Sequence, residues 1–374
     1  MSASEIPSAG NRAERLAAEL GGLGVEALLV DSLIDIRYLT SFSGSNALVL
    51  LIGEGLGGAL GQHRFMTDFR YTTQSAEQVP EAFERQIHNG ETFEALVPLL
   101  ETTEGRLGFD EGKITVRAHR RLAELLPAGW KLVPCNGAVE RLRAIKDAGE
   151  VLQMRAAAEL ADEALKGLLD EGLVGRTERD VAIDLVLRMR RLGAEAPSFE
   201  PIVAAGAHAA LPHAEPLDQT IPRDVLVTID WGAQLEGYCS DCTRTYATGE
   251  GISQRAREIH ALVLDAQERA LGALAVGRNG REMDAVARGL IEEAGHGEHF
   301  GHGLGHGVGL EVHEAPRLSR TASEEPLKPG NVVTVEPGVY LPGELGVRIE
   351  DLVVLTGEGK DVLTGLAKTL AVIS

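Results

Sequence analysis

The second half of the chain contains the same arrangement of elements twice. Val174-Gly175-Arg176 and Val276-Gly277-Arg278 each follow one amphipathic helical stretch and open another. After each pair of helices the sequence predicts a strand, a glycine-rich turn and a second strand, over 225–246 in the first copy and 331–355 in the second. An internal repeat of this kind restricts the second half to a fold built from two related halves.

Each predicted hairpin places two acidic residues within strands that are otherwise apolar. Asp230 and Asp241 flank the glycine-rich turn of the first hairpin, and Glu336 and Glu350 belong to the second. A carboxylate buried in an apolar strand is costly unless a cation or a shared proton balances its charge. Two divalent metal ions would balance four carboxylates, and such pairs of ions form hydrolytic sites. We therefore predict a two-metal hydrolytic centre rather than four acids on a solvated sheet edge.

Histidines supply a further ligand type close to the second hairpin. Five of the eleven histidines lie between His296 and His313. His302 and His306 have the spacing of a helical zinc pair, but glycine alternates through this segment and disfavours a helix. The pattern predicts an extended strand in which His302 and His306 share one face. Either of them can then bind a metal beside the four acids.

The first half of the chain has a different pattern. Strand-like segments at 25–30, 47–52, 106–109 and 131–133 alternate with helical stretches that include 91–100 and 116–126. This alternation is typical of a small α/β domain. A charged helical stretch beginning at Val139 leads into a long amphipathic helix through Leu169, which predicts a domain boundary near Val139.

Composition and charge exclude several classes of function. The formal net charge of -20 opposes phosphate backbones and anionic lipid, so we expect neither a nucleic-acid nor a membrane partner. Segment 47–52 is the longest unbroken apolar run and is too short to cross a bilayer, and segment 1–16 lacks an apolar signal core. Three cysteines cannot form a disulfide framework in a chain of this size. These features predict a cytoplasmic protein.

A CxxC pair, Cys239 and Cys242, is a weak signal. Elsewhere the spacing is typical of zinc or redox sites. The chain has no second cysteine pair, and residues three apart on a strand face opposite sides of a sheet. We assign the pair no function.

Together these residues resemble the pita-bread metallopeptidases. The chain is most similar to the Xaa-Pro aminopeptidases and Xaa-Pro dipeptidases of that superfamily, because segments 36–46 and 67–71 resemble their amino-terminal domain. The resemblance implies a creatinase-like α/β domain over residues 1–138. It also implies an α+β pita-bread catalytic domain with an internal pseudo-two-fold repeat over residues 139–374. The segments that carry the catalytic match are Asp230, Asp241, the glycine-histidine run from Gly301 to Gly309, Glu336-Pro337-Gly338 and Arg348-Ile349-Glu350.

The resemblance implies a role for each of five metal ligands. Asp230 would chelate one ion, His306 and Glu336 would bind the other, and Asp241 and Glu350 would bridge both. Carboxylate-rich ligation suits manganese, with cobalt or zinc as substitutes.

Further residues match positions around the substrate in this superfamily. His213 and His313 would stabilise the tetrahedral intermediate, because hydrogen-bond donors aimed at developing charge assist that step. Glu336 would also carry the proton. His302 would lie beside the substrate, and Arg348 would either hold the substrate or form a structural salt bridge. His208 is a departure from the resemblance, because many relatives carry asparagine at this position.

The predicted activity is that of an Xaa-Pro aminopeptidase acting on small proline-containing peptides. The preference for proline rests on the resemblance alone. An Xaa-Pro dipeptidase is the nearest alternative, and a peptide-binding module without catalysis is a more distant one. Because relatives commonly form dimers, the resemblance also implies a homodimer.

Overall fold

The computed structural model describes residues 9–374, apart from the side chains of residues 9–11, 57 and 59. The first eight residues of the segment predicted to lack a signal core lie outside the described residues. The chain divides into two compact units, the first ending at Arg143 and the second beginning at Ala144. Within residues 9–374, none of the helices combines the length and the apolar character needed to cross a bilayer.

The first unit contains a six-stranded mixed sheet in the order β4-β3-β2-β1-β5-β6. The strands are β1 (Ala27–Val30), β2 (Leu48–Ile52), β3 (His63–Asp68), β4 (Phe83–His88), β5 (Gly105–Phe109) and β6 (Trp130–Pro134). The helices are α1 (Ala9–Glu19), α2 (Leu33–Thr40), α3 (Glu54–Leu60), α4 (Thr72–Gln78), α5 (Val97–Leu100), α6 (Val116–Leu125) and α7 (Ala138–Arg143). All residues of β1 and β2 are buried, as expected of continuous apolar strands covered on both faces. The α/β class predicted for this part of the chain is confirmed.

One predicted helix of this unit is interrupted. Residues 91–100 were expected to form a single helix, but a 3-10 helix over Thr92–Leu96 precedes α5. Pro98 has no N–H to donate to the carbonyl oxygen four residues earlier, so regular α-helix cannot continue across this point.

The division between the units falls after Arg143 rather than after residue 138. Helix α7 packs against α1 and α2, and Arg143 forms a buried ion pair with Asp35 at 2.7 Å. The charged stretch predicted to begin at Val139 ends at Arg143, and the long helix predicted through Leu169 is a second helix that begins at Ala148. The second of them, α8 (Ala148–Leu169), begins with a capping box in which Asp147 and Glu150 bond to each other's backbone N–H.

The second unit shows the predicted repeat as two sets of helices and sheets. Its remaining helices are α9 (Glu178–Arg191), α10 (Gln254–Ala273) and α11 (Gly280–Glu293). Its strands are β7 (Ala196–Pro197), β8 (Ile202–Ala205), β9 (Leu226–Trp231), β10 (Ala233–Leu235), β11 (Tyr238–Cys239), β12 (Cys242–Ala247), β13 (Gly305–Gly307), β14 (Glu314–Leu318), β15 (Val332–Val335), β16 (Gly338–Leu341), β17 (Leu345–Arg348), β18 (Asp351–Thr356) and β19 (Gly359–Val362). Further 3-10 helices span Gly206–Ala210 and Gly297–His299.

Each copy of the repeat has its own core. Buried side chains of α8 and α9 pack against β8, β9 and β12 in the first copy. Those of α10 and α11 pack against β15, β17 and β18 in the second. The sheets run in the orders β12-β9-β8, β11-β10-β7, β14-β13-β15-β18-β19 and β16-β17. This is the α+β arrangement that the resemblance to the pita-bread fold implied, with the internal repeat that the sequence predicted.

Candidate active site

The four acids lie at the ends of strands that belong to the two hairpins. Asp230 is near the end of β9 and is opposite Thr243 of β12. Asp241 immediately precedes β12, Glu336 immediately follows β15, and Glu350 immediately precedes β18. Glu350 donates its backbone N–H to the carbonyl oxygen of Thr243 at 3.1 Å, which joins the second hairpin to the first.

Close backbone approach shapes the first hairpin. A Cβ atom added to Gly232 would collide with the carbonyl oxygen of Ser240. The backbone N–H of Ala233 donates to Ser240 Oγ at 3.0 Å, which secures the chain on both sides of the turn. The missing side chain at position 232 therefore allows Asp230 and Asp241 to approach each other from opposite strands.

The five residues predicted to bind metal line one cavity of about 650 Å³. His306, in the middle of β13, places Nε2 at 3.2 Å from Glu336 Oε1 and at 3.7 Å from Asp241 Oδ2. One ligand atom from each of Asp241, His306 and Glu350 lies within 4.8 Å of the others. The structure thus brings carboxylates and an imidazole close enough together to bind the same metal ion.

Electrostatics in this cavity favour a bound cation. Burial raises the pKa of Asp241 well above its usual value, and the charges of Glu350, Asp230 and Glu336 raise it further. Burial and the same kind of repulsion raise the pKa of Glu350. Asp230 Oδ1 is buried and has no hydrogen-bond partner among the described residues. Clustered oxygen donors with one histidine fit divalent metal ions. Bound ions would reduce the repulsion between the carboxylates and would give the unpartnered oxygen of Asp230 a ligand contact.

Glu336 differs from the other acids. Burial acts to raise its pKa, but the hydrogen bond and charge of His306 lower the pKa of Glu336 to about 2. The carboxylate is therefore ionised, as a metal ligand must be, and it lies next to His306, another of the predicted ligands.

Comparisons with known proteins identify the family to which these residues belong. Residues 152–357 match the model of metallopeptidase family M24, and residues 12–145 match the creatinase/prolidase N-terminal domain. The chain belongs to metallopeptidase family M24.

Relatives of this M24 chain include proteins named for both Xaa-Pro activities. An uncharacterized peptidase of Bacillus subtilis (strain 168), YqhT, is 39% identical and covers 96% of this chain and 99% of its own length. The solved structure of an Xaa-Pro dipeptidase from Bacillus anthracis has a TM-score of 0.92 and 38% identity, covering 98% of this chain and 100% of the other. An X-Pro aminopeptidase from Thermotoga maritima MSB8 has a TM-score of 0.87 and 35% identity, covering 97% and 100%.

His213 and His313 both line the cavity of this M24 peptidase. His213 follows the 3-10 helix over Gly206–Ala210, and His313 immediately precedes β14. The ring centroid of His313 lies 4.3 Å from that of His306. Two imidazoles that are not in the cluster of ligand atoms therefore face the same space as the predicted ligands, and their catalytic role stays a prediction.

The strand predicted through His302 is wrong. Strand β13 covers only Gly305–Gly307, and in the preceding segment the carbonyl oxygens of Phe300 and His302 accept hydrogen bonds from the side chain of Arg288. His302 still lines the cavity, where its Nε2 accepts a hydrogen bond from Tyr340 Oη at 2.8 Å while Nδ1 donates to the carbonyl oxygen of Gly303.

Arg348 is committed to neighbouring groups. It donates from Nη2 to Asp230 Oδ2 at 2.6 Å, from Nε to Thr243 Oγ1 at 3.1 Å, and from Nη1 to Tyr340 Oη at 2.8 Å. Thr243 Oγ1 in turn donates to Glu350 Oε2 at 2.7 Å. These contacts are those of a structural salt bridge, the second of the two roles considered for Arg348. They orient two predicted metal ligands, Asp230 directly and Glu350 through Thr243.

Sequence reasoning missed Arg317, which also lines the cavity. It lies on β14 directly opposite His306 of β13. Among the described residues, no carboxylate forms an ion pair with its guanidinium. The alternation of side chains along a strand could have identified Arg317, since residues 313 and 317 of one extended strand lie on the same face.

The CxxC pair lies on two separate strands, Cys239 on β11 and Cys242 on β12. Both thiols are buried and free, and they donate to the carbonyl oxygens of Leu310 and Glu350 respectively. These contacts are those of packed core residues.

Proposed function

We propose that this M24 peptidase is a two-metal Xaa-Pro dipeptidase. The observation that carries the proposal is Arg317, a guanidinium without an ion-pair partner among the described residues, placed across from His306 in the cavity. An Xaa-Pro dipeptide presents a free carboxylate next to the scissile bond, and arginine can bind a carboxylate with two parallel hydrogen bonds. The relatives named Xaa-Pro dipeptidase support the same choice.

An Xaa-Pro aminopeptidase, the activity that the sequence favoured, is the second candidate. The likeness to the X-Pro aminopeptidase from Thermotoga maritima supports it. The two candidates share the metal centre and differ in whether residues after the proline are accepted.

In the proposed reaction, Asp230, Asp241, His306, Glu336 and Glu350 hold the metal ions. Two divalent ions, when bound, supply Lewis acidity and activate water for hydrolysis. The carboxylate of Glu336 takes up the proton of the attacking water and delivers it to the proline nitrogen. His213 and His313 donate hydrogen bonds to the carbonyl oxygen as negative charge develops on it. His302 lies beside the substrate, and Arg348 holds Asp230 in place.

The metal, the assembly and the location form part of the same proposal. The oxygen-rich ligand set supports manganese, with cobalt or zinc as substitutes. The family resemblance supports a homodimer, and the cysteine content supports a cytoplasmic location.

The first experiment compares two substrates on one preparation. Metal-stripped protein is incubated with and without manganese, with an Xaa-Pro dipeptide or an Xaa-Pro-Xaa tripeptide, and release of the first amino acid is followed. We expect manganese-dependent cleavage of the dipeptide and little cleavage of the tripeptide. Efficient cleavage of the tripeptide would instead establish the aminopeptidase, and no cleavage of either would overturn the proline assignment.

A second experiment tests Arg317 itself. Replacing Arg317 with alanine should raise KM for the dipeptide about 10- to 100-fold, which corresponds to the loss of about 1.5–3 kcal/mol from a hydrogen bond to a charged group. The matched control is Arg320→Ala, a nearby exposed arginine that does not line the cavity. A dipeptide amide, which lacks the carboxylate, should be a poor substrate for both the native protein and R317A. An unchanged KM in R317A would remove the main support for the dipeptidase.

A further inference from the structure

Glu178, the first residue of α9, has a carboxylate that is completely buried. Among the described residues, neither lysine nor arginine forms an ion pair with it. Three N–H donors hold its charge instead. The backbone N–H of Ala205 donates to Oε1 at 2.8 Å, and the backbone N–H of Leu217 and Nδ1 of His208 donate to Oε2 at 3.0 and 2.8 Å. Burying a carboxylate without a cation costs free energy, and a full set of hydrogen bonds to it fixes the positions of the groups that donate them.

The three donors belong to one loop. Ala205 is the last residue of β8, His208 lies in the 3-10 helix that follows, and Leu217 lies at the far end. Between the two ends, residues 212–216 all line the catalytic cavity, and His213 is among them. The carboxylate of Glu178 therefore binds both ends of the segment that presents His213, and backbone N–H groups of Glu178 and Arg179 also donate to carbonyl oxygens at its far end.

Other contacts hold the middle of this loop against the metal site. Arg348 donates from Nη1 to the carbonyl oxygen of Pro212 at 3.1 Å, while its Nη2 binds Asp230. Gly346 of β17 approaches the carbonyl oxygen of Ala209 so closely that a Cβ atom would collide with it. The loop is thus attached to the ligands at its centre and to Glu178 at its ends.

We propose that Glu178, together with His208, is a positioning residue that holds His213 at the distance from the metal ligands that catalysis requires. The inference rests on the proposed function, because it assumes that His213 assists cleavage. Glu178 itself does not reach the cavity, so its effect passes through the loop. Small displacements matter at such a site, since a shift of about 1 Å in a catalytic group can reduce a rate about 100-fold.

The test begins with Glu178→Gln, which keeps the shape of the side chain but replaces one of the two acceptor oxygens with an amide nitrogen, so that the bond from Ala205 or the bonds from Leu217 and His208 are lost. We expect kcat for the dipeptide to fall about 10- to 100-fold, with little change in KM and with unchanged metal content. The matched control is Asp218→Asn. This acid is exposed, lies beside the same loop and, among the described residues, forms an ion pair only with the exposed Arg179, so kcat should stay at the native value.

His208 provides a conservative rescue. An asparagine at this position can still donate from its amide to Glu178, whereas alanine cannot. We therefore expect His208→Asn to retain most of the native kcat and His208→Ala to lose a large part of it. Equal losses in the two variants would contradict the role of this hydrogen bond.

A double-mutant cycle separates positioning from general stability. In a His213→Ala background, Glu178→Gln should cause little further loss of kcat, because the group that it positions is gone. Losses that simply multiply would overturn the inference. If His213→Ala alone leaves cleavage unchanged, the proposed role of His213 fails instead. If the E178Q variant does not fold, the same double-mutant cycle can be measured with H208A, because this substitution keeps the bonds from the backbone of Ala205 and Leu217 to Glu178.

Discussion

At Asp162, on the buried face of α8, a carboxylate lies inside the protein without an ion-pair partner among the described residues. Its Oδ2 accepts the backbone N–H of Gly365 at 2.5 Å, while Oδ1 is buried without a described partner. Burial raises the pKa of Asp162 to about 6. The folded protein therefore keeps a proton on Asp162 at pH values where the unfolded chain, near the usual value of 3.8, has lost it.

Replacing Asp162 with asparagine should stabilise the protein at neutral pH. The contribution of Asp162 to stability falls as pH rises from about 4 through about 6 and is constant above that range. Asparagine never ionises, so we expect D162N to exceed the native free energy of unfolding by about 1–3 kcal/mol at pH 8.

The measurement for D162N is urea unfolding at pH 5 and pH 8, taken as the difference from the native protein. The matched control is Glu163→Gln, an exposed neighbour on the same helix, which should change stability little at either pH. A difference that does not grow between pH 5 and pH 8 would show that burial does not control this carboxyl.

At the scale of elements, close contact between backbones decides where the functional loop can lie. Strand β17 packs against the 3-10 helix over Gly206–Ala210, and Gly346 is the point of contact. The hairpin of β16 and β17 therefore packs against the loop that contains His213. Arg348, at the end of β17, binds both this loop and Asp230. One strand thus aligns a predicted ligand with a predicted catalytic histidine.

A pair of identical substitutions tests this packing. Gly346→Ala should lower the free energy of unfolding by about 1–3 kcal/mol, because the new methyl group meets the backbone of Ala209. Gly289→Ala, inside α11 and with no atom within 4 Å of the added Cβ, should instead raise it by up to about 1 kcal/mol. Chemical unfolding of both variants measures the effects, and a loss of stability in both would mean that contact with Ala209 is not the cause in G346A.

At the scale of the whole molecule, the formal net charge of -20 and the cluster of buried acids oppose folding without counter-ions. A metal that binds the folded chain more tightly than the unfolded chain must stabilise it. The protein is thus expected to be markedly less stable after its metals are removed.

Thermal unfolding measures this linkage. Adding manganese to metal-stripped protein at about 100 times its dissociation constant should raise Tm by about 5–10 °C. Sodium chloride at equal ionic strength controls for screening of the surface charge, and Asp241→Asn controls for the site, since it removes one predicted bridging ligand. Equal shifts in native protein and D241N would place the stabilising ion elsewhere.

Much of the fold could be predicted because its signals are local. The apolar runs at 27–30 and 48–52 form buried strands, and the repeated helices and hairpins of the second half appear where the sequence predicted them. Local patterns failed where a distant contact or a missing donor overrode them. The segment of His302 is held by Arg288 instead of continuing as a strand, and Pro98 interrupts a helix.

For the candidate site, the sequence by itself determined which acids lie within or next to apolar strands and hence that their charge must be balanced. Only the tertiary structure decided their partners. Arg348 reaches Asp230 across 118 positions of the chain, Arg317 faces His306 through strand pairing, and Glu178 holds a loop from outside the cavity. The physical reason is that charge and hydrophobicity are properties of residues, whereas hydrogen-bond geometry exists only after distant segments have packed.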